Sequence, residues 1–131
     1  MEEWKKKFIT PQEIHDDILN LIEKIPKNRY KNIFVIMRGG MGIGVYLSHY
    51  FNIPILINTD DINSQETLIV DDLTDTGETL IDYTKNNFDT AVIYYKTRSK
   101  VIPTYYSKQS PNNQWIVFPW EKNDEIPNRN V

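Results

Sequence analysis

The chain has 131 residues, 40% of them hydrophobic, enough to bury one core and little more, so a single domain over 1–131 is expected. Fifteen basic and 18 acidic residues leave a formal charge of −3, and no basic block beyond Lys5-Lys6-Lys7 favours a nucleic acid or other polyanion as partner. Cysteine is absent, which excludes disulfides and thiolate chemistry, and neither the charged start Met1 to Lys7 nor any later run has the apolar length of a signal peptide or membrane span, so a soluble cytoplasmic protein is expected.

In chain order, Thr10-Pro11-Gln12-Glu13 joins an N-cap hydroxyl, a proline at the first helical position and a glutamate placed to close a capping box. Ile14, Ile18, Leu21, Ile22 and Ile25 then repeat at helical spacing, giving a stripe that can lie on a sheet, and Pro26 stops the helix. His15 and His49, each without a neighbouring carboxylate or second ligand, read as surface residues. Ile33-Phe34-Val35-Ile36-Met37 has strand length and ends in the glycine-rich turn Arg38-Gly39-Gly40-Met41-Gly42-Ile43-Gly44, before a helical pattern over Val45 to Phe51. Its glycines miss the dinucleotide spacing G-x-G-x-x-G. An arginine heading such a turn suits a diphosphate, because backbone amides approach closely and the guanidinium adds a fixed cationic fork. Pro54 to Ile57 gives a third short strand, followed by the polar linker 58–67.

The most informative stretch is Leu68-Ile69-Val70-Asp71-Asp72-Leu73-Thr74-Asp75-Thr76-Gly77-Glu78-Thr79-Leu80. Three apolar residues run into two adjacent carboxylates and a hydroxyl-rich turn, which reads as strand, binding loop and helix start. Free amides at such a start, with the Thr76 and Thr79 hydroxyls, suit a phosphate monoester. Asp71 and Asp72 would repel that phosphate and must face sugar hydroxyls or a hard cation such as Mg²⁺; a sugar phosphate satisfies both halves. Leu80, Ile81 and Tyr83 continue the expected helix, and Thr90 to Tyr95 is a strongly β-prone strand ending at Lys96. In the tail, Trp115-Ile116-Val117-Phe118-Pro119-Trp120-Glu121 supplies rings that could stack a purine, with Phe118 and Trp120 read as completing a small core. Asn123 to Val131 reads as frayed.

The central stretch resembles the PRPP-binding motif of type I phosphoribosyltransferases, where two acids follow a hydrophobic strand and precede a D-T-G-x-T phosphate loop. Met37-Arg38-Gly39-Gly40 is similar to that family's pyrophosphate loop, in the Arg-Gly-Gly form of bacterial and archaeal 6-oxopurine enzymes. The tail resembles the W-I-x-x-P-W-[DE] segment of the xanthine-guanine enzymes. The resemblance covers roughly residues 8 to 121 and implies an α/β fold: a twisted, mainly parallel sheet of four or five strands, helices on both faces, and a small hood from residues near 1–12 and 103–121.

It also implies roles. Asp71 and Asp72 take the ribose and help place magnesium, while Asp75, Thr76, Gly77, Glu78 and Thr79 line the 5′-phosphate pocket. Arg38, Gly39 and Gly40 hold the diphosphate, with a non-proline cis bond at Met37-Arg38. Lys96 donates to the exocyclic oxygen at purine C6, Trp115 stacks on the base, Ile116 binds it through its main chain, and Glu121 lies near position 2, where a glutamate in place of aspartate leaves xanthine and guanine both open. Asp75, near N7, either removes a proton or stabilises a protonated base. The linker 58–67 is shorter than the family's mobile hood loop, so a lid that excludes water is reduced. The implied reaction is Mg²⁺-dependent transfer of phosphoribose from PRPP to N9 of guanine, xanthine or hypoxanthine, in a dimer or tetramer. The rival readings are a non-catalytic PRPP or nucleotide sensor on the same fold, and an enzyme for a different base or acting on a nucleotide product.

Overall fold

A computed structural model describes residues 5–121 of the chain. Residues 123–131 and the first residues of the hood segment lie outside the described part. Five strands, β2 (Asn32–Val35), β3 (Ile55–Leu56), β4 (Thr67–Thr74), β5 (Asp89–Lys96) and β6 (Tyr105–Ser110), form one sheet in the order β3-β2-β4-β5-β6. Every pairing in it is parallel. Strand β1 (Lys5–Phe8) pairs in parallel with β7 (Gln114–Val117) as a separate two-stranded sheet, made from the two segments expected to contribute to the hood.

Helix α1 (Pro11–Lys24) begins as its residues dictate. Thr10 Oγ1 accepts from Glu13 N at 3.0 Å and Glu13 Oε1 accepts from Thr10 N at 3.3 Å, a closed capping box with Pro11 inside it. Its stripe Ile14, Ile18, Leu21 and Ile22 is buried, joined by Ile25 just past the helix. Helix α2 (Gly40–Phe51) adds Ile43 and Leu47 to the same cluster, so α1 and α2 cover one face of the sheet. The other face is closed by Leu80, Ile81 and Tyr83 around the five-residue helix α3 (Ile81–Lys85), over Phe34, Ile69 and Val92. Central β4 is covered on both faces, and all eight of its residues are buried.

Asp17 sits buried within the apolar stripe of α1 and is paired from two strands. It accepts a short hydrogen bond from the Tyr94 hydroxyl and an ion pair from Lys108 Nζ at 2.8 Å. Burial, then the Asp17 hydrogen bond, pushes the Tyr94 phenol well above its usual range. This contact ties α1 to β5 and β6.

Three elements differ from the sequence expectation. Tyr105–Ser110, expected in the hood segment, is instead the edge strand of the main sheet, reached from β5 through residues 97–104 without a helix. Helix α2 begins at Gly40 rather than Val45, so Gly42 and Gly44 are helical and the glycine-rich turn shrinks to residues 36–39. Helix α3 begins at Ile81 rather than in the Thr76–Thr79 turn. No helix among the described residues is long and apolar enough to cross a membrane.

Candidate active site

Strand β4 carries its carboxylates inside the ladder. Asp71 and Asp72 were expected in a loop beyond the strand, but β4 continues to Thr74 and leaves them 2% and 3% exposed. Local hydrogen bonds permit this: Asp71 Oδ1 accepts from Asp72 N at 2.8 Å, and Asp72 Oδ1 accepts from Leu73 N at 2.7 Å. Each acid thus satisfies the amide that follows it.

The turn after β2 lies directly on this strand end. Ile36 N donates to Val70 O at 2.9 Å, Gly40 N donates to Ile36 O at 2.8 Å, and the Met37-Arg38 peptide is cis, as the resemblance implied. A Cβ on Gly40 would stand 2.5 Å from Val70 O, and one on Gly39 would stand 2.7 Å from the Asp72 carboxyl carbon. Glycine is required at both by close approach. Arg38 is exposed at the head of this turn, whose backbone is pressed against Asp72.

Two residues past β4 the chain turns again, at the same end of the sheet. Gly77 has φ +88°, and its α-carbon faces Ser99 Oγ and the amides of Lys100 and Val101. Lys100 N donates to Thr76 O at 2.9 Å, and Ser99 Oγ meets Thr74 Oγ1 at 2.9 Å. The turn is therefore braced by residues 99–101. With α3 only five residues long and starting later, any anion here would be held by the turn's own amides and hydroxyls rather than by a helix N-terminus. Thr76 and Thr79 are partly exposed and Glu78 is exposed.

Asp75 and Lys96 meet at the ends of adjacent strands. Lys96 Nζ lies 3.4 Å from Asp75 Oδ2, with side-chain exposures of 2% and 7%. A second cation, Arg98, places Nε 2.5 Å from Asp75 Oδ1. Both carboxylate oxygens of Asp75 are thus engaged by cations, as a buried charge requires. Arg98 was not singled out from the sequence; it stands two residues beyond a strand end with no local partner to mark it.

The two-stranded β1–β7 sheet lies near the same end. Trp115 and Ile116 lie in β7, 8% and 3% exposed. Phe118 is buried with its ring 5.8 Å from that of Tyr94, and Arg98 N donates to Asn112 Oδ1 at 3.3 Å. Trp120, expected in the core with Phe118, is instead 44% exposed, stacked flat on the Phe118 ring at 4.9 Å and lying over Gly42. Glu121 Oε1 accepts from Phe118 N at 2.9 Å and closes the turn that carries Trp120. His49 is exposed, while His15 is half-buried with Nδ1 3.0 Å from the Tyr46 hydroxyl, joining α1 to α2.

Linker 58–67 is short and internally tied. Asn58 Oδ1 accepts from Asp60 N, Asn63 Oδ1 accepts from Gln65 N and Glu66 N, and Thr67 Oγ1 donates to Asn32 Oδ1. Among the described residues no group of three or more His, Asp or Glu side chains could hold a metal. Asp71 and Asp72 offer hard carboxylate oxygens that fit Mg²⁺, which is commonly held by one or two carboxylates with substrate phosphates completing its shell. A small pocket lined by Ile25, Tyr30, Ile33, Phe51 and Leu68 lies at the opposite end of the sheet from these loops.

No protein-family model matches the chain, and no curated protein matches it in sequence. Solved structures do match. A purine phosphoribosyltransferase from Pyrococcus horikoshii superposes with a TM-score of 0.78 at 27% identity, over 94% of this chain and 99% of that one. A xanthine-guanine-hypoxanthine phosphoribosyltransferase from Helicobacter pylori gives 0.74 at 20% identity, covering 90% and 93%. A hypothetical protein from Neisseria gonorrhoeae with bound ppGpp gives 0.69 at 22% identity, covering 95% and 92%.

Proposed function

The chain has the type I phosphoribosyltransferase fold, on the side of the purine enzymes, and from that premise we propose that it transfers 5-phosphoribose from PRPP to a 6-oxopurine base. One observation carries the reading. The Arg38-Gly39-Gly40 turn rests on Asp72 while the Asp75-to-Thr79 turn leaves the same strand end, so the two loops read here as anion cradles flank one carboxylate pair. A pentose bearing phosphates at both ends matches that order of charge.

In this reading the 5′-phosphate takes the amides and hydroxyls of Thr76 to Thr79, the ribose hydroxyls donate to Asp71 and Asp72, and the diphosphate takes the Arg38 turn. The base stacks on Trp115, meets the main chain of Ile116, and places its 6-oxygen on Lys96. N9 forms its bond to C1′ as the bond from C1′ to the diphosphate oxygen breaks, giving the nucleoside monophosphate and pyrophosphate. Positive charge develops at C1′ and negative charge on the leaving group, so holding the partners in line and receiving the diphosphate at Arg38 account for most of the acceleration. Asp75 accepts the proton released from the base or stabilises its protonated form. Mg²⁺, held by Asp71 and Asp72, would neutralise diphosphate charge.

A second reading has one observation in its favour. The Neisseria neighbour holds ppGpp, a guanosine nucleotide with two diphosphates, and the short tied linker 58–67 leaves little of a lid. This reading is a nucleotide sensor that binds without turnover. Incubating the protein with PRPP, Mg²⁺ and guanine, xanthine, hypoxanthine or adenine separates the two. The transfer reading expects nucleotide and pyrophosphate from the oxopurines and none from adenine. PRPP or ppGpp binding seen by calorimetry, with no nucleotide formed from any base, replaces it with the sensor.

A further inference from the structure

Building on the proposed transfer to a 6-oxopurine, we infer that Arg98 is a positioning residue for base selection, holding the Asp75 carboxylate so that Oδ2 stays beside the Lys96 ammonium. Asp75 Oδ2 and Lys96 Nζ stand 3.4 Å apart, an acceptor and a donor side by side, both buried. A 6-oxopurine presents O6 and N7 next to each other on one edge, and a proton at N7 turns that edge into an adjacent acceptor and donor. The protein pair is its complement: Lys96 donates to O6 and Oδ2 accepts from N7–H. A 6-aminopurine puts an amino donor opposite the ammonium, and the pairing fails.

The complement works only if the carboxylate plane is fixed. The last torsion of an aspartate is broad, and a single long contact of 3.4 Å from Lys96 Nζ restrains it little. Arg98 supplies the restraint through Nε, at 2.5 Å from Oδ1, while Lys96 pairs with Oδ2. Arg98 is itself held. Ser99 N donates to Lys96 O at 2.9 Å, folding the chain back past the strand end, and Arg98 N donates to Asn112 Oδ1 on the turn that leads into β7. The strand that delivers the donor therefore also delivers the group that orients the acceptor.

Steady-state kinetics of Arg98→Ala and Arg98→Lys, with hypoxanthine, guanine and adenine at saturating PRPP and then with PRPP varied, test this. Arg98→Ala should lower kcat/KM for the oxopurines by about 10- to 100-fold, the loss of one charge-assisted hydrogen bond, while KM for PRPP changes by less than about twofold. Preference for hypoxanthine over adenine should narrow by about tenfold, and Arg98→Lys should recover part of both losses. Truncation takes one cation from the buried Asp75 carboxylate, so the urea midpoint of Arg98→Ala should also fall; the discriminating readout is the narrowed base preference with an unchanged KM for PRPP, which a merely structural role would not give. Wild-type kcat/KM and base preference in Arg98→Ala, or equal losses toward base and PRPP, overturn the inference while transfer by the wild type stands. A wild type that makes no nucleotide removes the transfer reading and this inference together.

Discussion

Gly39→Ala isolates the contact that brings the two loops together. Gly39 has φ −56° and ψ −37°, open to any residue, so an added methyl meets a steric cost and no backbone strain. It would stand 2.7 Å from the Asp72 carboxyl carbon and 2.9 Å from Oδ1. Asp72 Oδ2 lies nearer still, and ordinary contact begins at 3.4 Å, so the carboxylate or the turn must retreat by roughly 1 Å. If Asp72 moves, its 2.7 Å hydrogen bond from Leu73 N lengthens; if the turn moves, Arg38 moves with it. Overpacking of this kind costs about 1–3 kcal/mol, offset by about 0.4–1 kcal/mol from the smaller entropy of an unfolded chain carrying alanine. Net destabilisation should be about 1–2 kcal/mol by urea titration, with turnover from PRPP and guanine falling about 100-fold, because misplacement near 1 Å is costly for in-line transfer. The control is Gly42→Ala, whose methyl would meet only the edge of the half-exposed Trp120 ring at 3.2 Å, a ring free to shift outward. Gly42→Ala should keep near-normal stability and turnover. Equal turnover in Gly39→Ala and Gly42→Ala would refute the close approach of the Arg38 turn to Asp72 as a requirement of the site.

Asp17→Ala removes the acceptor of the buried Tyr94 hydroxyl and should cost about 1–3 kcal/mol in urea; the Lys108 partner, 59% exposed, adds little, so Lys108→Ala should be nearly neutral. The hydrogen bond from Thr10 N, followed in smaller part by Lys7, holds the Glu13 carboxyl below its usual range. Its contribution is therefore complete above the ordinary glutamate pKa and lost as pH falls through the lower folded value, so the melting temperatures of wild type and Glu13→Gln should converge on acidification. Lys108 runs the other way: hydrogen bonding to Asp17 raises its pKa, and its contribution is whole below the ordinary lysine pKa and lost as pH rises through the folded one. Chelating divalent cations should abolish nucleotide formation, with Mg²⁺ restoring it; undiminished turnover in excess chelator would remove the metal from the proposed mechanism.

What could be read in the sequence was what neighbours along the chain determine. The α1 start was legible because a capping box closes within four residues, and β4 because apolar residues on both faces leave a continuous run. Errors arose where distant contacts overrule local preference. Acids rarely prolong a strand, yet Asp71 and Asp72 do so because each satisfies the following amide. Thr76-Gly77-Glu78-Thr79 looks like a helix start, but residues 99–101 hold Gly77 at positive φ and delay α3 to Ile81. Tyr105–Ser110 carries no clean alternation, since an edge strand buries little, and it takes the Lys24 ammonium on the Tyr106 and Ser107 carbonyls and the Lys108–Asp17 pair to show how α1 holds it. Asp17 and Arg98 share one reason for escaping notice: each is a charge whose partner is far away in sequence. Motifs name the groups a ligand would touch, whereas the charges that orient those groups come from wherever the fold returns the chain. Arg98 is the case in point, because Asp75 is recognisable in its motif but the residue fixing its carboxylate lies 23 positions away.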